Sequence, residues 1–309
     1  MAHKNESNWS PYTARKNLAI KPAVSHTAGK SDGNTAGNTK SHIAARAAAT
    51  GAAKSAPGAK TSRRHRKPLE QFGFQEADDR IYDVFRNHGF SDYPHAKRMQ
   101  LTRFYELLMA NQNDQNFTRL IALKDIAIKH FIDSLIVAQL TELTFPLMDV
   151  GTGPGFPGIP LKIEYPEQTI ILAEGVQRRV EFLKYVREKM QLENLPILGR
   201  NVNFECFYPV QGVITRAVED ARNTLGNVVN SLQTGGRVYL MKGPNCEPEI
   251  EAALNVWGEY YALDEDIKYE LPNSPNGRRL LIFKKLKAHP LPDFEALDLA
   301  WEREFGTGE

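Results

Sequence analysis

The chain has 309 residues, 41% of them hydrophobic, enough for one or two globular domains with a sizeable core. No apolar run reaches the roughly eighteen residues that span a bilayer, and no basic segment leads into an apolar signal region, so a soluble protein without a membrane partner is expected. Cys206 and Cys246 are its only cysteines and lie forty residues apart, which excludes a disulfide framework and a cysteine zinc site, leaves no metal to expect, and fits a reducing compartment.

The net charge of +2 conceals an asymmetry. Residues 1–67 hold thirteen Lys and Arg against two acidic residues, and the remainder holds twenty-six against thirty-five, so the tail carries about +11 and the body about −9. With Leu18, Ile20, Val24 and Ile43 as its only large aliphatics, the tail cannot bury enough surface to offset ordering entropy. A disordered basic segment over 1–67 is the expectation. Its end, "SRRHRKP", places Arg63, Arg64 and Arg66 in a run suited to phosphate contacts without base readout. A solubilising linker and an organellar transit peptide are the other readings of the same composition.

From Asp79 the pattern changes. Leu101, Phe104, Tyr105 and Leu108 recur at helical spacing, as do Ile128, Phe131, Ile132 and Leu135, which predicts two amphipathic helices joined by the polar turn "NQNDQNFTRL". Next comes "DVGTGPGFPGIP", Asp149 to Pro160. Short β-rich runs then alternate with helical patterns: "LMDV" (147–150), "TIILAE" (169–174), "GVIT" (212–215), "RVYLM" (237–241) and "RLLIFKK" (279–285), with Val180, Leu183, Val186 and Met190 marking a helix. Alternation of this kind predicts an α/β fold, a mostly parallel sheet with helices on both faces, preceded by a small helical subdomain. The expected divisions are 1–67, 68–144, 145–286 and a C-terminal extension, 287–309.

The glycine run carries two fingerprints. Gly153, Gly155 and Gly158 read as the dinucleotide loop G-x-G-x-x-G, whereas Asp149 with Gly151, Gly153 and Gly155 reads as the D-x-G-x-G-x-G loop that folds around S-adenosylmethionine. A carboxylate at Asp149 repels a pyrophosphate and attracts an ammonium and a sulfonium, which favours the second. Glu174, about twenty residues on, suits ribose hydroxyls in both.

"DVGTGPGFPGIPL", with "HFIDSL" upstream, "ITRAV" and "MKG" downstream and a closing "RRLLIFKK", resembles the RsmG (glucose-inhibited division protein B) family over residues 95–286. That resemblance implies a class I, Rossmann-like methyltransferase that uses S-adenosylmethionine to make 7-methylguanosine in bacterial small-subunit ribosomal RNA, in the cytoplasm, on the RNA or the ribosomal subunit. It further implies cofactor contacts at Asp149, Gly151, Gly153, Gly155, Phe156, Glu174, Asn201, Val202 and Arg216. Substrate RNA contacts are implied at Asn116, Thr118, Arg216 and Lys242, beside the tail arginines. Two departures stand out: the family's usual V-E or A-E reads Asn201 and Val202, and its F-D reads Val210 and Gln211. A non-catalytic RNA-binding or assembly factor on the same fold, and a nicotinamide-dependent oxidoreductase, are the rival readings.

No catalytic base carries a motif. His130 and Asp133 fall three apart on one helix and are expected to position the cleft, with Arg216 and Lys242 emerging at strand ends above it. N-P-P-Y and Pro-Cys motifs, which serve amine and ring-carbon acceptors, are absent, and ring nitrogen 7 of guanine needs neither because its lone pair is free.

Overall fold

The computed structural model describes residues 71–115, 117–216, 219–271 and 277–290. Arg63, Arg64, Arg66 and Asn116 therefore lie outside the described residues, as do the tail and most of the C-terminal extension.

Two helices lead in, α1 (Phe74–Asn87) and α2 (His95–Gln115). Ala77, Ile81 and Phe85 recur every fourth residue along α1 and bury one stripe. Asp78, also buried, receives Arg98 Nε and Nη2 at 3.0 Å each and the Thr102 hydroxyl at 3.0 Å, a bidentate pair that fixes α1 to α2. Because α2 continues to Gln115, the first half of the expected polar turn is helical.

The expected helix around Ile128–Leu135 is a composite. A short α3 (Leu123–Ile126) passes into a π-helical segment (Ala127–Ile132) and then α4 (Asp133–Leu140). A π segment shifts side-chain phase relative to an α-helix, and it holds His130 and leads directly into Asp133.

The described residues form a seven-stranded sheet in the order β3-β2-β1-β4-β5-β7-β6. Its strands are β1 (Leu147–Val150), β2 (Ile170–Ala173), β3 (Ile197–Leu198), β4 (Val210–Arg216), β5 (Leu232–Lys242), β6 (Tyr261–Glu270) and β7 (Gly277–Lys285). β7 inserts antiparallel between β5 and β6, and β1 to β5 run parallel to one another. Helices α5 (Gly158–Glu164), α6 (Gln177–Lys189), α7 (Ala221–Asn227) and α8 (Glu247–Trp257) complete the covering layers. This is the expected mostly parallel α/β architecture of a class I methyltransferase, with a helical lead-in. The expected boundary at 144/145 falls in the connection between α4 and β1.

Alternation along each strand builds two apolar layers. Leu147, Ile170, Leu172, Ile214, Tyr239 and Ile282 face a cluster shared with the lead-in helices, α5 and α6. Met148, Ile171, Val213, Val238, Leu240 and Phe283 face the other cluster, which takes in α7 and α8. Both cysteines are buried. No helix among the described residues is long and apolar enough to cross a membrane.

Candidate functional site

The glycine loop joins the carboxyl end of β1 to α5. Gly151, Gly153 and Gly155 have φ of 69°, 61° and 114°, a region L side chains rarely adopt, and the backbone N–H groups of Gly151 and Thr152 donate to the Ala173 carbonyl of β2 at 2.9 and 3.2 Å. A Cβ on Gly153 would meet nothing within 4 Å, whereas one on Gly158 would lie 2.2 Å from Leu172 Cδ2 and 2.7 Å from Asp149 Oδ2. Gly153 thus borders open space at the ligand end of the sheet, and Gly158 permits close packing behind it.

Asp149 departs from its expected role. It shares a register row with Leu172 and Ile214 and is fully buried. Its Oδ2 accepts the Thr152 hydroxyl at 2.5 Å and the Gly158 N–H at 2.7 Å. The carboxyl group thus braces the loop from beneath. Burial pushes its pKa up to about 7 from the ordinary 3.8, against the opposing pull of its hydrogen bonds and of Arg216.

That shift has a signed consequence. The folded state holds the Asp149 proton between about pH 4 and 7 while the unfolded chain releases it, so this contribution is full below pH 4 and lost as pH rises through 7, by about 1.4 kcal/mol per pH unit. Asp149→Asn imitates the protonated form and removes this loss. Chemical denaturation at pH 5 and pH 8 should show the wild-type protein losing stability relative to the variant at the higher pH; parallel curves would refute it.

Glu174, just past β2, is also buried; its Oε2 accepts the Gly153 N–H at 2.9 Å and its Oε1 accepts the Val176 N–H at 2.8 Å, with Arg179 3.5 Å away. It therefore touches the loop itself. Asn201 is exposed and lies so close to Gly175 that a Cβ there would sit 1.9 Å from Asn201 Oδ1. Val202 packs its side chain into the second apolar cluster.

Arg216, the last residue of β4, organises a second group. Its guanidinium donates to the Lys129 carbonyl at 3.0 Å, to Asp133 Oδ2 at 3.3 Å and to His130 Nδ1 at 2.9 Å. Because Arg216 can only donate, Nδ1 is the acceptor and His130 carries its proton on Nε2, which reaches the Thr118 hydroxyl oxygen at 3.1 Å. Burial, then the Arg216 charge, lowers the His130 pKa from 6.5 to about 3. The ring stacks on Phe156 at 4.3 Å, and Arg216 lies 5.6 Å from the same ring. Phe156 is buried against Phe104 and Phe131, so it supports the cluster from behind instead of lining the cleft.

Asp133 receives a second cation, Arg278 of β7, at 3.5 Å, and burial still pushes its carboxyl upward against both arginines. His130, Asp133 and Arg216 are thus brought together as expected of a positioning group. Lys242 is not part of it: its ammonium donates to the Glu219 carbonyl at 2.5 Å and pairs with Glu249, which also accepts the Ala221 N–H. Protein acceptors hold the charges of both Arg216 and Lys242, the two cations expected at strand ends above the cleft.

Four contributors lacked a readable signal. Thr152 supplies the hydroxyl to Asp149, Gln112 clamps the Thr118 backbone through both its N–H and its carbonyl, Arg278 seconds Arg216, and Glu249 holds Lys242. Each acts through a partner across the fold or within a turn, and although Thr152 and Arg278 fall inside runs quoted above, nothing in those runs announces the pairing. No group of three or more metal-binding side chains occurs among the described residues.

Residues 97–273 match the family described as "GidB: rRNA small subunit methyltransferase G". A Bdellovibrio bacteriovorus protein named "Ribosomal RNA small subunit methyltransferase G 2" is 63% identical over 230 residues, covering 74% of this chain and 90% of that one. A protein of the same name from Syntrophobacter fumaroxidans is 41% identical, covering 67% of this chain and 42% of the longer relative. "Ribosomal RNA small subunit methyltransferase G" from Escherichia coli is 31% identical, covering 68% of this chain and 99% of that one. The matched span runs from α2 to the end of β6 and includes the glycine loop, Glu174 and the Arg216 cluster, and on these grounds the chain belongs to the rRNA small subunit methyltransferase G family.

Proposed function

We propose that this chain transfers a methyl group from S-adenosylmethionine to ring nitrogen 7 of a guanine in small-subunit ribosomal RNA, in the bacterial cytoplasm. The observation that carries the reading is the meeting, at the carboxyl ends of β1, β2 and β4, of an open glycine loop with Glu174 and the Arg216 cluster. The residues fit the cofactor. Open space above Gly153 admits it, the Glu174 carboxylate retains lone pairs for ribose hydroxyls, and the exposed Asn201 amide offers a donor and an acceptor to adenine in place of the family's carboxylate.

The cofactor supplies an electrophilic methyl group on a sulfonium, and the protein supplies position. His130 cannot act as a base near neutrality, since its only lone pair accepts from Arg216 and its pKa is depressed to about 3. That suits an acceptor whose lone pair is already free. Arg216, His130, Asp133 and Thr118 form a fixed wall, and rigid placement of two reactants is the main resource for such a transfer. Arg63, Arg64 and Arg66, in the 1–67 segment, serve as a phosphate-contacting arm ahead of the helical (68–144) and methyltransferase (145–286) portions.

A deletion strain should lose one 7-methylguanosine from its small-subunit rRNA by nucleoside mass spectrometry, and the purified protein should restore it. At saturating cofactor the single-turnover rate should be flat from about pH 6 to 9. An unchanged nucleoside profile would favour the assembly-factor reading, and a tenfold rise per pH unit that vanishes in His130→Ala would show a general base.

A further inference from the structure

This inference rests on the rRNA reading above. Arg216 and Lys242, the strand-end cations expected to meet RNA, are occupied by protein acceptors, but three other cations at the same end of the sheet are not. Arg119 follows Thr118, whose hydroxyl meets His130 at the end of β4. Lys124 is the second residue of the helix that runs on to His130. Arg178 lies in the first turn of α6, four residues before Phe182, whose ring centroid is 4.4 Å from that of Phe117. This ring contact joins the wall bearing Arg119 to the wall bearing Arg178.

All three cations are exposed, and none has an ion pair or hydrogen bond through its side chain among the described residues. The neighbouring carboxylates are already paired: Asp125 with Lys129 at 2.7 Å, Glu174 with Arg179 at 3.5 Å and Glu181 with Lys184 at 3.1 Å. Two large apolar side chains, Ile121 and Val176, lie between the cations in sequence and are 40% and 42% exposed. The chain beyond residue 67 carries an acidic excess, so a group of unpaired cations at this one end does not follow from overall composition.

We propose that Arg119, Lys124 and Arg178 form a rim that grips the rRNA phosphate backbone around the methyl-transfer cleft, with Ile121 and Val176 against ribose or base faces. Unpaired surface cations flanking a cleft release counterions on binding a polyanion and set the position of the bound strand without reading its sequence. Base selection is left to the cleft.

The test uses the full chain and small-subunit rRNA, with binding measured over a series of salt concentrations. Arg119→Ala/Lys124→Ala/Arg178→Ala should bind at least tenfold more weakly, and its slope of log affinity against log salt should flatten by roughly two, about 0.7 for each phosphate no longer neutralised. Cofactor affinity should not change. Lys284 is an exposed cation without a side-chain partner, at the opposite end of the sheet beside Arg237, and Lys284→Ala should bind as wild type. A triple variant with wild-type affinity and slope, or a Lys284→Ala effect equal to that of each single rim variant, would overturn the proposal. If the wild-type chain binds rRNA through the rim yet transfers no methyl group, the rim stands and the reaction assigned above fails; if it binds no rRNA, both fall.

Discussion

Arg216→Ala should cost about 3 kcal/mol of stability and at least a hundredfold in single-turnover methylation, while leaving cofactor affinity within a few fold of wild type. The stability loss follows from burial: Asp133 is 4% exposed and loses a charged donor there, and His130 Nδ1 loses the guanidinium that donates to it. Arg278 remains 3.5 Å from Asp133, which holds the cost near the lower end of the range for broken buried pairs. The turnover loss follows from geometry, because one planar group sets the Lys129 carbonyl, Asp133 and His130 at once and an error of about 1 Å is worth on the order of a hundredfold. Arg216→Lys separates the two effects. A lysine keeps charge against Asp133 but cannot span three acceptors, so it should recover stability more than turnover. Nuclear magnetic resonance of the His130 ring adds a readout that simple destabilisation would not move: without the Arg216 charge its pKa should rise from about 3 toward the ordinary value. Unchanged turnover in Arg216→Ala would remove the cluster from the mechanism.

Gly153→Val should abolish measurable S-adenosylmethionine binding in a protein that still folds. The position has φ +61°, so a β-branched residue is strained there by roughly 1–3 kcal/mol, but its Cβ meets nothing within 4 Å and the surrounding packing is undisturbed. What the side chain fills is the open mouth of the loop. Gly158→Ala makes the opposite prediction. Its Cβ would lie 2.2 Å from Leu172 Cδ2 and 2.7 Å from Asp149 Oδ2, so it should destabilise the fold by about 1–3 kcal/mol through overpacking. Titration calorimetry and thermal melts with and without cofactor distinguish the pair: Gly153→Val should lose the cofactor-induced rise in melting temperature with a modest change in the free protein, and Gly158→Ala should melt lower with and without ligand. Wild-type cofactor affinity in Gly153→Val would show that the ligand does not lie over the loop.

Much of the architecture is legible along the chain. β1, β2, β4, β5 and β7 stand out as β-rich runs because strands in a covered sheet bury both faces, and the structure places Leu147–Val150 within the bounds its sequence suggests. β3 and β6 are hidden for opposite reasons: β3 has two residues, and β6, "YALDEDIKYE", is a half-exposed edge strand whose charges mask its alternation. Helices α5 and α7, seven residues each, are too short to show a period, whereas α1 and α8, at fourteen and eleven residues, are long enough to show one. In the site, the glycines and Glu174 are readable because they act through local backbone geometry at a fixed distance from a strand end. The sequence by itself thus determined five of the seven strands, the loop and the family. Only the tertiary structure decided what each charge does: Arg216 meets His130 and Asp133 more than eighty residues away, Lys242 turns to Glu219 and Glu249, and Asp149 braces its own loop. A charge's role depends on its partners and its exposure, and both come from elements that the fold brings together from distant parts of the chain.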